Sequence, residues 1–274
     1  MKLELLRLIY EYIKNRKEMD ETFVNKIIEI VVNNKELNPY IKGIIITNEP
    51  LESVDEFTSA SFNYYSRKLR MNLQGTIEFS QYLSKFYPFT KAEKILYQYF
   101  FITQIILHEL EHVNQLQKEI NKEDDIETSI ISAANRYMNI SSNLFINNLS
   151  DYIRKSQMLY KKYYRFAPTE RLADYYSYCA IIEMLKELQG KDSSLIRYEW
   201  MKLKETCLSG YDDVSNPTKF YLEQTGSSEY WPEIKEKAST LTWMEKLIYG
   251  LEVPQEKLHQ LKKVNEKMKE RILI

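Results

Sequence analysis

Residues 91–116 read KAEKILYQYFFITQIILHELEHVNQL. Apolar residues recur in this stretch every three or four positions, as they do along the buried face of an α-helix. The residues from Phe100 to Leu107 are mostly apolar, so the predicted helix should lie at the centre of the fold. The run HELEH, at residues 108–112, falls within it.

The HELEH run has the spacing of a metal site. His108 and His112 are four residues apart, so on a helix both imidazoles can point at one ion. Glu109 follows the first histidine and can take a proton from water and return one to a departing amine. Zinc suits this pairing because it makes water acidic enough to deprotonate near neutral pH. The chain has 3 histidines in all, so a chance match is rare, and we expect one zinc ion per chain.

A catalytic zinc usually has a third protein ligand and keeps one position open. The run TERLAD, at residues 169–174, spaces Glu170 and Asp174 on one face of a second predicted helix. We expect Glu170 to bind the metal and Asp174 to hydrogen-bond the imidazole of His108 and so fix its tautomer. The other candidates for the third ligand are Glu127, His259 and Asp174 itself.

The rest of the chain predicts an α+β fold that is mainly helical. Two helices are expected in residues 1–36, a buried strand at residues 44–46 and a hairpin in residues 59–75. This small N-terminal sheet should pack on the HELEH helix, and further helices should follow towards the C-terminus. We place a catalytic core at residues 1–190, with a helical insertion at about 122–166, and a helical C-terminal region at residues 191–274.

Composition excludes several classes of function. The 38 basic and 39 acidic residues nearly cancel, so no global field favours nucleic acid or anionic lipid. The 2 cysteines lie far apart, which fits neither a disulfide framework nor a cysteine zinc site. No uncharged apolar run reaches the roughly 18 residues of a membrane-spanning helix. We therefore expect a cytoplasmic protein without a nucleic-acid or membrane partner.

HELEH followed by TERLAD resembles the gluzincin group of zinc metallopeptidases. The resemblance is greatest to small intracellular members, the minigluzincin and ImmA/IrrE-type proteins, and covers roughly residues 40–185. ASFNYYSRKLRMNL, at residues 60–73, resembles their substrate-side hairpin. The resemblance implies that His108, His112 and Glu170 bind zinc and that Glu109 is the base. The gap between His112 and Glu170 is longer than in the small members, hence the predicted insertion.

The metzincin group is excluded, because VNQLQK follows His112 where its longer motif needs a glycine and another histidine. No motif identifies the residue that stabilises the oxyanion, a task for a donor beside the metal. Proximity in sequence gives four candidates: Tyr163, Tyr164, Arg165 and Tyr178.

The predicted function is zinc-dependent hydrolysis of peptide bonds in a peptide or protein substrate. An extended substrate could pair with an exposed strand of the hairpin by main-chain hydrogen bonds. The alternative is a regulatory protein with weak or no proteolysis, which uses the same scaffold to bind a protein partner. A purely structural zinc site fits less well, because such sites are closed by four side chains, often cysteines.

Overall fold

The computed structural model describes residues 1–53, 57–121, 168–189, 193–203 and 255–256. It confirms a mixed α+β fold that is mainly helical, with a small N-terminal sheet and further helices after it. The helices in these ranges are α1 (Lys2–Lys14), α2 (Glu21–Lys35), α3 (Leu73–Ser84), α4 (Lys91–Asn121), α5 (Pro168–Gln189) and α6 (Ser194–Leu203). The strands are β1 (Gly43–Thr47), β2 (Ala60–Asn63) and β3 (Lys68–Asn72). None of the helices so described is both long and apolar enough to span a bilayer.

The chain divides into two compact units. The first contains residues 1–120 and 172–205, and the second contains residues 121–171 and 206–274. Nearly all of the described residues belong to the first unit. The predicted domain boundary near Gly190 and the predicted insertion at about 122–166 lie outside the described residues, so both stay predictions.

The two predicted N-terminal helices are present as α1 and α2. The side chain of Asp20 accepts a hydrogen bond from the backbone N–H of Phe23 at 2.9 Å and so caps the first turn of α2. Glu36, with φ of 55°, ends that helix in the left-handed conformation. The apolar faces of α1 and α2 meet in the core, where Leu5, Ile9 and Ile27 are fully buried.

The sheet has the order β1-β3-β2. Strands β2 and β3 form the predicted hairpin, and β1 pairs with β3 in parallel. The prediction that residues 44–46 are a buried strand is wrong in its burial, because Ile44 is 42% exposed and Ile45 is 36% exposed. In the described part of the chain β1 is an edge strand of this sheet, with β3 as its one neighbour.

Helix α3 follows β3 without a loop. Asn72 ends the strand, and its side-chain oxygen accepts a hydrogen bond from the backbone N–H of Gly75 at 3.1 Å, which caps the helix. The alternation of Leu69, Met71 and Leu73 predicts a strand through Leu73. All three side chains are buried, but the helix begins at Leu73.

Helix α4 is the centre of the fold, as its apolar periodicity predicts. Helix α2 runs parallel to it, because Phe23 contacts Tyr99 and, twelve residues later on both helices, Lys35 pairs with Glu111. On α3, Phe79 packs edge-on against Phe101 of α4, with ring centroids 6.0 Å apart. Neighbours on several sides leave Ile102, Leu110 and Val113 without exposed surface.

Candidate metal centre

One face of α4 carries both histidines of the HELEH run. Their rings lie edge to face with centroids 4.9 Å apart, as expected for side chains one helical turn apart. His112 is 4% exposed, and the side chain of His108 is 14% exposed. Both imidazoles are therefore largely shielded from bulk water.

Helix α5 packs antiparallel to α4 along this face. Asp174 Oδ1 lies 2.8 Å from His108 Nδ1. Three residues further along α5, Ser177 Oγ accepts a hydrogen bond of 3.1 Å from Gln104 Nε2 and donates one of 3.0 Å to the carbonyl of Asp174. This pair of contacts fixes the turn of α5 that carries Asp174 against the turn of α4 that carries His108.

Glu170 is on the first turn of α5, four residues before Asp174 on the same helix face. His108, His112 and Glu170 each offer one ligand atom, and these atoms all lie within 4.8 Å of one another. In the part of the chain that the structure describes, this is the one group of three such side chains close enough to hold a metal ion. The sequence prediction named the same three residues.

His112 has neighbours that the sequence analysis did not identify. Gln115 Oε1 lies 3.0 Å from His112 Nδ1, and Tyr64, just after β2, donates its hydroxyl to the same oxygen at 3.0 Å. The Tyr64 hydroxyl also lies 3.4 Å from His112 Nδ1. A signal for Gln115 exists in the sequence, because a residue three positions after a histidine lies near it on a helix. The sequence offers no such signal for Tyr64, which is 51 residues from Gln115.

Two glutamates of the HELEH run are buried. Glu109, the predicted base, is 8% exposed. Glu111 is 4% exposed, and its carboxylate accepts hydrogen bonds of 2.7 Å from Lys35 Nζ on α2 and from Asn114 Nδ2. The ion pair joins α2 to the turn of α4 between the two histidines and so sets the rotation of that turn about the helix axis.

The other sequence candidates are not among the three clustered ligand residues of the described part of the chain. Asp174 contacts Nδ1 of His108 and is not one of the three clustered ligands. Tyr178 lies near Tyr97. Burial is the main cause that raises the pKa of Tyr97, and the nearby Glu199, Tyr178 and Tyr87 raise it further. Tyr97 precedes His108 by eleven residues, which is about 16 Å along a helix. The remaining candidates lie outside the described residues: Glu127, Tyr163, Tyr164, Arg165 and His259.

No family model, curated protein or solved structure matches this chain. Its chemistry must therefore be argued from its own residues.

Proposed function

We propose that this chain is a zinc-dependent metallopeptidase of the gluzincin type. The observation that carries the proposal is the cluster of His108, His112 and Glu170, whose ligand atoms lie within 4.8 Å of one another. The buried Glu109 directly follows the first of them. Two helices supply this arrangement from motifs far apart in the sequence.

The donor set fits zinc. Two imidazole nitrogens and one carboxylate oxygen are a common set of protein ligands at catalytic zinc sites, which keep a fourth position open. Ligand atoms around one tetrahedral zinc are about 3.4 Å apart, so side-chain movements of about an ångström would bring the three atoms to that spacing. The cluster contains no cysteine, whereas closed structural sites often do.

Each residue has a defined task in the proposed reaction. When bound, zinc would lower the pKa of a water molecule towards neutrality and polarise the peptide carbonyl. Glu109 takes a proton from the attacking water and gives one to the departing amine. Asp174 accepts a hydrogen bond from His108 Nδ1, which leaves Nε2 of that imidazole to bind the metal. The low exposure of His112 and Glu109 limits competing water.

The first test separates metal binding from catalysis. Zinc content is measured by elemental analysis after zinc-supplemented expression, and peptidase activity is measured on a peptide library, for wild type, Glu109→Gln and Glu170→Ala. Wild type should hold about one zinc ion. Glu109→Gln should keep the zinc but lose roughly 100- to 10,000-fold in activity, the usual contribution of a general base. Glu170→Ala should lose zinc.

Two control variants make the result specific. Glu187→Ala removes an exposed carboxylate from the same helix as Glu170 and should change neither readout. His259→Ala tests the rival third ligand and should also keep zinc. Loss of zinc from His259→Ala but not from Glu170→Ala would reassign the third ligand. Zinc without peptidase activity in wild type would favour the regulatory alternative, and no zinc in wild type would refute the proposal.

A further inference from the structure

We infer that Gln115 is the positioning residue of His112, and that Tyr64 holds Gln115 in the orientation this requires. The inference rests on the proposed function to the extent that His112 is a metal ligand. It concerns the second histidine, for which the sequence motif predicts no partner, whereas Asp174 serves the first.

The geometry sets the direction of the hydrogen bonds. Gln115 Oε1 lies 3.0 Å from His112 Nδ1 and 3.0 Å from the Tyr64 hydroxyl. A carbonyl oxygen only accepts, so both neighbours must donate to it. His112 then carries its proton on Nδ1, and Nε2 keeps the lone pair that a metal needs. The opposite tautomer would place a proton on the nitrogen that should bind zinc.

Burial keeps the side chain of Gln115 in this arrangement. Gln115 is 1% exposed and His112 is 4% exposed, so bulk water does not readily replace a lost partner. The amide of Gln115 could present its NH₂ group to His112 if it turned over. A tyrosine hydroxyl can donate or accept, and here that of Tyr64 donates to Gln115 Oε1 at 3.0 Å, in the orientation in which this oxygen faces both donors.

The two histidines are thus held by acceptors of different charge. Asp174 presents a carboxylate oxygen to His108 at 2.8 Å, and Gln115 presents a neutral amide oxygen to His112 at 3.0 Å. Tyr64 follows β2 of the hairpin, so the hairpin contributes to the orientation of a residue on α4. A change at Tyr64 should therefore reach the metal centre without touching a ligand.

The tautomer can be read directly by NMR. With only 3 histidines in this sequence, long-range ¹H–¹⁵N spectra of the imidazoles are simple, and His259→Gln and His112→Gln variants assign the signals. Metal-free wild type at one fixed pH should show His112 with Nδ1 protonated and Nε2 unprotonated. Finding Nε2 protonated instead would overturn the inference, because it would mean that the amide of Gln115 donates to the ring.

Variants connect the tautomer to metal affinity. Gln115→Met keeps the length of the side chain but replaces the carbonyl by a weak acceptor. It should mix the tautomers of His112 and weaken zinc binding about 10- to 100-fold, the usual effect of losing such a partner. Gln115→Glu restores an acceptor oxygen at the same distance and should recover most of that affinity. Tyr64→Phe should weaken binding in the same direction by a smaller factor.

Gln104→Met is the matched control, since Gln104 is a buried glutamine of the same helix that bonds Ser177 and not His112. It should leave the tautomer of His112 unchanged. Zinc affinity within twofold of wild type for Gln115→Met, or equal losses for Gln115→Met and Gln115→Glu, would refute the inference. Because the tautomer is read without metal or substrate, it is tested even if the peptidase proposal fails. If wild type is an active zinc peptidase and Gln115→Met changes nothing, the inference alone fails.

Discussion

Replacing Glu199 by glutamine should remove a pH-dependent loss of stability from the described fold. Glu199 is on α6 and is 5% exposed. Burial raises the pKa of its carboxyl group from 4.5 to about 8, although the nearby Lys202 acts in the opposite direction. The charge of Glu199 also acts on Tyr97 and Tyr198, whose hydroxyls lie 3.5 Å apart.

The sign follows from the two pKa values. Between pH 4.5 and about 8 the folded protein binds a proton at Glu199 that the unfolded chain has lost, so stability falls as the pH rises through this window. Above about pH 8 both states are ionised and the effect levels off. Between pH 6 and pH 9 the linkage relation gives a loss of about 3 kcal/mol. Glu199→Gln has no titrating proton at this position, so its free energy of unfolding should not fall by this amount.

The assay is urea unfolding of wild type and Glu199→Gln at pH 6, 7, 8 and 9. EDTA is included so that metal binding adds no pH dependence. We expect the stability of the variant relative to wild type to increase by about 3 kcal/mol between pH 6 and pH 9. Titration of every other group is common to both proteins and cancels in the difference. A difference that stays constant over the four pH values would refute the reasoning.

Two further substitutions test how the helices around α4 are held. Lys35→Met leaves the buried Glu111 without its cation and should lower the free energy of unfolding in urea at pH 7 by about 1–3 kcal/mol. Lys35→Arg should keep most of the stability. Equal stability of Lys35→Met and wild type would contradict the role of the ion pair. Gly75→Ala should destabilise the protein by about 1–3 kcal/mol, because the new Cβ would lie 2.5 Å from a ring carbon of Phe57. Gly43→Ala is its control, since there the nearest described atom to the new Cβ is Lys68 Cγ at 3.7 Å, an ordinary contact distance. Similar thermal shifts for the two variants would refute the steric argument.

Periodicity was sufficient to predict the elements that carry the centre. Helix α4 has a long apolar face, and local spacing alone puts His108 and His112 on one turn. The same rule relates Glu170 to Asp174 on α5. Local rules apply here because a helix determines the relative directions of side chains three or four residues apart, whatever surrounds it.

Structural features that depend on contacts between distant parts of the chain could not be predicted from the sequence. Three consecutive isoleucines predict a buried strand, but the burial of β1 depends on its neighbours, and among the described residues β3 is its one partner strand. The alternation through Leu73 continues because a buried face is needed both at the end of β3 and at the start of α3. Gln115 alone looks like an ordinary helical residue, and its hydrogen bond from the hydroxyl of Tyr64, in another part of the chain, could not be predicted from local spacing.

The first turn of α5 carries Glu170, and Asp174 lies one turn further along the helix. Terminal turns are where helices open most readily, and an opening that reached the second turn would withdraw a ligand from the centre and the acceptor from His108 in the same event. By mass action, an ion held at the centre would oppose that opening. Amide exchange at the start of α5 should therefore slow on metal binding, so that the order of this helix end and the occupancy of the centre vary together.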